Sequence, residues 1–170
     1  MRSAKVCIIG DFAVGKTSTI ARFVKNAFSE EYLTTVGVKI DTKSIETDHG
    51  PIKLVIWDVA GTDELSNIEL AYLRGSAAFI LVADGTRRNT VDNALRLRED
   101  LVAQYGDLPF VAMLNKQDLS QQWEITDDEL EASRVAGVEW IPCSAKTGHS
   151  VGDAIESLAD FIAGSSNEGM

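Results

Sequence analysis

Hydrophobic residues along this chain come in short unbroken runs separated by longer amphipathic stretches. Val6-Cys7-Ile8-Ile9, Ala77-Ala78-Phe79-Ile80-Leu81-Val82 and Phe110-Val111-Ala112-Met113-Leu114 are continuous apolar blocks. Such blocks suit strands covered on both faces. Read in order, the pattern predicts strands near 4–10, 38–47, 51–58, 77–83, 109–114 and 139–143. Helices are predicted near 15–26, 64–74, 91–105, 127–136 and 150–162. Asp48-His49-Gly50-Pro51 is a turn signal, so 38–47 and 51–58 should pair as an antiparallel hairpin. The other strands need helical crossovers, which predicts an α/β fold: a six-stranded, mostly parallel sheet with helices on both faces. Ligands in such sheets sit beyond the carboxyl ends of the strands. The chain shows no repeats and no low-complexity segment before a short polar tail over 164–170.

Composition narrows the class. A chain of 170 residues suits one domain, here expected over 1–163, with 45% hydrophobic and 25% charged residues. It can bury roughly two-thirds of its unfolded surface without staples. No apolar run approaches the roughly 18 residues of a membrane helix. The N-terminus has no signal-peptide core, and Arg2 stands where N-myristoylation requires glycine, so a cytoplasmic location is expected. A net charge of −10 argues against nucleic acid and anionic membrane surfaces as partners. The two cysteines, Cys7 and Cys143, both fall in predicted strands. Free buried thiols of a reducing compartment fit them, and a disulfide between them is the alternative. His49 and His149 lack metal-ligand spacing. Asp127-Asp128-Glu129 suits the first turn of a helix, where it complements the dipole.

The candidate chemistry starts at residues 10–17, Gly-Asp-Phe-Ala-Val-Gly-Lys-Thr, directly after the first apolar run. This is G-x-x-x-x-G-K-[ST] between a strand and a helix, a phosphate-binding P-loop. Gly10 and Gly15 let the backbone curl so that successive N–H groups face phosphate oxygens. Phe12, Ala13, Val14, Gly15, Lys16, Thr17 and Ser18 are the expected contacts, with Lys16 on the outer phosphates and the Thr17 hydroxyl on Mg²⁺. Asn115-Lys116-Gln117-Asp118 follows the 110–114 run. There Asp118 can accept two hydrogen bonds from guanine, whereas adenine would face it with a repelling acceptor. Ser144-Ala145-Lys146 supplies a second base loop, with the Ala145 N–H toward the guanine carbonyl and the Lys146 stem over a ring face. Trp57-Asp58-Val59-Ala60-Gly61 closes another strand. Asp58 there can hold a metal-bound water, and the Gly61 N–H can reach a terminal phosphate. Thr35 offers a second hydroxyl to the metal.

Together these residues resemble the small GTPases of the Ras superfamily, and within it the Rab-like branch, over about residues 4–163. The Rab-like features are Val36-Gly37-Val38 after Thr35, Trp57 before Asp58, and Tyr72-Leu73-Arg74-Gly75. The resemblance implies a small G-domain that binds GTP or GDP with Mg²⁺ held by Thr17, Thr35 and Asp58. It places Phe28 across the guanine and Lys16, Thr35, Gly61 and Thr62 at the reacting phosphate. It also implies a molecular switch whose moving segments, 29–37 and 60–74, recruit effector, exchange and activating proteins, with a monomer as the family default. Trp57 and Tyr72 match two members of an effector-facing aromatic triad, with Ile40 in the third place; packing between switch and hairpin is the alternative. Trp123 and Trp140 lie outside all motifs and are read as structural.

Three departures qualify this resemblance. The family usually carries Gln where this chain has Thr62, and a Thr hydroxyl cannot bridge water and phosphate as an amide does. Phe12 is bulky where family members carry a small residue, and its ring would crowd an entering arginine finger. No cysteine follows Cys143, and 151–170 contain four acidic and no basic residues. Prenyl anchoring is therefore not expected for the chain as given. The first two departures predict slow GTP hydrolysis with resistance to ordinary activating partners; a non-catalytic, constitutively GTP-loaded module is the alternative.

Overall fold

In a computed structural model, which describes residues 2–11, 13–24, 31–33, 39–58 and 71–168, the apolar runs become the strands of a single sheet. The elements are β1 (Arg2–Gly10), α1 (Lys16–Val24), β2 (Glu31–Leu33), β3 (Lys39–Thr47), β4 (Gly50–Asp58), β5 (Ala78–Asp84), α2 (Arg88–Tyr105), β6 (Phe110–Asn115), α3 (Asp127–Val135), β7 (Trp140–Pro142) and α4 (Val151–Glu168), with a 3₁₀ segment at Gln117–Gln122. Strand order is β2-β3-β4-β1-β5-β6-β7. The β1–β4, β1–β5, β5–β6 and β6–β7 pairs are parallel, and β3–β4 is the antiparallel hairpin expected from Asp48–Pro51.

The six expected strands are present, and β2 adds a seventh, antiparallel to β3 at the sheet edge. Three residues are too few to show a periodicity, which is why the sequence pattern does not reveal it. Helix α2 starts at Arg88, before the expected 91. Helix α4 runs to Glu168, through the stretch read as a polar tail. Its preceding turns are anchored by Ile155, Leu158 and Ile162, and Gly164-Ser165-Ser166 simply continues the helix despite weak intrinsic propensity. Of the helix predicted over 64–74, residues 64–70 lie outside the described residues.

The two-residue period of the strands sorts side chains onto two cores. Val6, Ile8, Leu54, Ile56, Ile80 and Val82 face α1 and α4, while Cys7, Ile9, Phe79 and Leu81 face α2. Every residue of β5 is buried, as an unbroken apolar run requires. Both cysteines are free and buried, with no disulfide between them. Burial pushes their thiols up to about 11 for Cys7 and about 12 for Cys143, so both stay protonated at neutral pH. Trp57 and Tyr72 pack against the α2-side core with ring centroids 6.5 Å apart, and the Lys5 ammonium lies 3.9 Å from the Trp57 ring centre. That contact gives the packing role of these aromatics a structural basis.

The parallel strands β1, β4, β5 and β6 deliver Gly10, Asp58, Asp84 and Asn115 to the same edge of the sheet. Gly10 sits where β1 meets β5: a Cβ added there would lie 2.3 Å from the Val82 carbonyl oxygen. Gly10→Ala should therefore force the two central strands apart and lower unfolding free energy by about 1–3 kcal/mol. Denaturant midpoints measure this, and an unchanged midpoint would contradict the tight β1–β5 approach.

Candidate functional site

At this carboxyl edge the chain encloses a cavity of about 1100 Å³. The loop from Gly10 into α1 forms its floor. Ala13 has φ +61° and Gly15 φ +101°, so left-handed residues recur along the turn and aim main-chain groups inward. Gly15 is required twice over, because a Cβ there would also lie 2.3 Å from Asn115 Nδ2. Lys16 is buried, and its ammonium donates to the Gly10 carbonyl at 3.3 Å, folded over its own loop. The start of α1 is set by the Gly15 carbonyl, which accepts from both the Thr19 N–H (2.8 Å) and the Thr19 hydroxyl (2.7 Å). On the outer side, Asn93 of α2 donates to Asp11 at 2.7 Å and ties the loop to the second core.

Thr17 and Asp58 meet at one end of the cavity, the hydroxyl donating to the carboxylate at 2.7 Å. Two hard oxygen donors side by side, open to a phosphate cradle, fit Mg²⁺, which is held by few protein oxygens and completes its shell with water and phosphate. Among the described residues no group of three or more His, Cys, Asp or Glu could hold a metal alone, so phosphate oxygens would have to complete such a site.

The other end is built by two loops locked together. Asn115 donates through Nδ2 to the Val14 carbonyl (2.9 Å) and accepts through Oδ1 from the Ala145 N–H (3.0 Å). The Ala145 N–H, expected at a guanine carbonyl, is thus already committed within the protein, and a bound base would share it. Asp118 accepts from the Ser144 hydroxyl at 2.7 Å, and Ser144 in turn accepts from the Thr147 N–H at 3.1 Å. Lys116 is held at φ +72°, with its carbonyl accepting from Trp123 Nε1 at 2.9 Å.

Of the expected site residues, Ala13, Gly15, Lys16, Thr17, Ser18, Asp58, Asn115, Lys116, Asp118, Ala145 and Lys146 line the cavity. Val14 and Ser144 are fully buried behind its wall. Phe12, Phe28, Thr35, Gly61 and Thr62 lie outside the described residues, as does most of 29–37 and 60–74.

Several contributors escape sequence reasoning. Lys39 and Leu119 also line the cavity. Arg22, one face of α1 removed from the P-loop, donates to the Ala145 carbonyl at 2.9 Å and to the Lys146 carbonyl. Asp84, fully buried at the end of β5, accepts from Lys116 Nζ at 2.7 Å, from the Thr86 N–H at 2.9 Å and hydroxyl at 2.7 Å, and from Arg87 Nε at 3.1 Å. Trp123 stacks so closely on Gly85 that a Cβ there would fall 2.2 Å from its ring. The indole therefore braces the Lys116 turn as well as filling space. A polar residue after an apolar run is the one signal that could have marked Asp84; its partners come from two segments, the turn at Thr86-Arg87 and the loop at Lys116.

Comparisons with known proteins fit this geometry. Residues 5–163 match the family model described as the Ras family. The chain is 39% identical over 161 residues to a Ras-related protein Rab11C of Nicotiana tabacum, covering 93% of this chain and 72% of that one. It is 37% identical over 161 residues to a Ras-related protein RABA4a of Arabidopsis thaliana, with 93% and 71% covered. A Ras-related protein Rab-7L1 of Rattus norvegicus is 31% identical over 172 residues, with 96% and 84% covered.

The buried Asp84 predicts an acid-dependent stability. Burial alone would raise its carboxyl, but the hydrogen bonds from Lys116, Thr86 and Arg87 outweigh it and hold the group below its ordinary value. A depressed native value stabilises the fold above the unfolded carboxyl range, and that stabilisation disappears as pH falls through the native value. Asp84→Asn should therefore cost about 1–3 kcal/mol at pH 7, with the deficit narrowing below about pH 4. Chemical unfolding of both proteins across pH checks this, and a pH-independent deficit would contradict it.

Proposed function

The chain belongs to the Ras family, Rab-like small GTPases that bind GTP and GDP with Mg²⁺, hydrolyse GTP and act as molecular switches, and we propose that it does so through the cavity at the carboxyl edge of its sheet. One observation carries the assignment of residues: a single cavity joins the curled loop at Ala13–Gly15, the Thr17–Asp58 oxygen pair and the Asp118 carboxylate.

In this reading the phosphates lie on the main-chain N–H groups of 13–18, at the positive end of α1. Lys16 swings from the Gly10 carbonyl onto the outer phosphates. Thr17, Asp58 and Thr35 would hold Mg²⁺, which would supply positive charge to offset that of the phosphates. Asp118, oriented by Ser144, reads the guanine N1–H and amine. Asn115 positions both walls, Lys116 and Lys146 flank the ring, and Phe28 packs across it. Ala145 shares its N–H with the guanine carbonyl. Gly61 and Thr35 contact the γ-phosphate, and 29–37 and 60–74, the latter containing Tyr72 and following Trp57, are the surfaces for effectors, exchange factors and activating proteins. The protein acts as a cytoplasmic monomer.

Hydrolysis rests on Lys16, Mg²⁺ and backbone donors, which act by position and charge, because Thr62 carries no amide to orient water. Even with Gln at that position, unassisted hydrolysis is on the order of 10⁻⁴ s⁻¹.

The base pocket is tested by Asp118→Asn, which should weaken GTP by roughly tenfold or more and favour xanthosine triphosphate. Unchanged base preference in a competition assay would misplace the pocket. Single-turnover hydrolysis by the unassisted protein should stay well below roughly 10⁻² s⁻¹, the rate of family members with a built-in arginine. A rate at or above that value would overturn the roles given to Thr62 and Phe12.

A further inference from the structure

Arg22 stands on α1 behind the second base loop, and its guanidinium fork holds two consecutive peptide units of that loop. Nε donates to the Ala145 carbonyl at 2.9 Å, and Nη2 donates to the Lys146 carbonyl. Ala145 and Lys146 line the cavity and Arg22 does not, so the loop runs between the guanidinium and the cavity. The turn closes tightly on the arginine stem: a Cβ at Gly148, which has φ +89°, would lie 3.3 Å from Arg22 Cδ.

A trans peptide unit is planar, with its carbonyl and its N–H pointing to opposite sides. A carbonyl turned toward Arg22 therefore turns the N–H of the next residue away from α1. The Lys146–Thr147 unit shows the result. Its carbonyl is on Arg22, and its N–H donates to Ser144 Oγ at 3.1 Å. The Ser144 hydroxyl in turn donates to Asp118 at 2.7 Å. The Ala145–Lys146 unit is turned the same way, which sends the Lys146 N–H to the cavity side. No described residue accepts from that N–H, whereas the Ala145 N–H is committed to Asn115 Oδ1 at 3.0 Å. We propose that Arg22 is a positioning residue for guanine recognition, presenting the Lys146 N–H to the guanine 6-oxo group and steadying Asp118 through Ser144. This inference rests on the reading of the cavity as the guanine-nucleotide site, and adds to it a residue that never touches the base. A lysine ammonium, as a point charge, cannot replace a fork that holds two carbonyls at once.

Equilibrium binding of GDP and of 6-thioguanosine diphosphate to the full chain in Mg²⁺ tests it. The analogue keeps the N1–H and the amine but carries sulfur, a weak acceptor, in place of the 6-oxo oxygen. Wild type should bind GDP roughly tenfold more tightly than the analogue, the scale of one hydrogen bond. Arg22→Met, which keeps an apolar stem without donors, should weaken GDP roughly tenfold and cut that preference to about threefold or less. A general loosening of the loop would instead weaken both nucleotides alike and leave the preference unchanged. Arg22→Lys should fall between the two. If Arg22→Met does not fold, Arg22→Lys decides: a preference reduced by about twofold or more supports the inference, and an unreduced one overturns it. An unchanged preference in Arg22→Met, or no preference in wild type, would overturn the inference while leaving the nucleotide site standing. Wild type that binds neither nucleotide would overturn the nucleotide reading itself, and this one with it.

Discussion

The site depends on one side-chain amide. Asn115 ends β6 with its Nδ2 on the Val14 carbonyl and its Oδ1 on the Ala145 N–H, so the phosphate loop and the second base loop are held by opposite ends of a single group. Each of these buried bonds contributes about 1 kcal/mol net, but leaving either partner unpaired would cost more. The amide also dictates its neighbour: Gly15 can have no side chain, because Asn115 occupies the space a Cβ would need. An aspartate at 115 would lose the donor, and a glutamine would not fit the same gap. Two motifs far apart in sequence are thereby one structural unit.

That unit is placed by the sheet. Parallel pairing of β1 with β4 and β5, and of β5 with β6, brings the ends of four strands to one edge. Two apolar cores, one under α1 and α4 and one under α2, keep those strands immobile relative to one another. The loops beyond the edge can then carry strained conformations, such as Ala13 and Lys116 at positive φ, because the hydrogen bonds around them outweigh a cost of about 1–2 kcal/mol each.

Much of this was legible in the linear order of residues. Unbroken apolar runs mark β1, β5 and β6 because those strands are covered on both sides, and Gly10, Gly15 and Asp118 mark their loops because each does something no other residue does as well. The strand β2 was not legible, since three residues have no period, and α4 extends past its expected end because packing upstream overrides weak local propensity. Arg22, Asp84 and Lys39 were invisible for another reason. Each is a common surface-type residue whose place at the site is set by folding. Arg22 reaches Ala145, 123 positions away, and Asp84 takes Lys116 from the next strand's loop besides its neighbours Thr86 and Arg87. Lys39 is brought opposite Asp58 by the hairpin register. Trp123 was read as structural, and its contacts with Gly85 and Lys116 show what that structure supports.

Helix α1 begins at the phosphate floor with Lys16, and about 9 Å along its axis Arg22 grips the carbonyls of Ala145 and Lys146. One rigid rod therefore touches both poles of the cavity. Any outside force that tilts this rod unseats the phosphates and slackens the ring clamp in the same stroke, so unloading needs only a single lever rather than separate attacks on two grips.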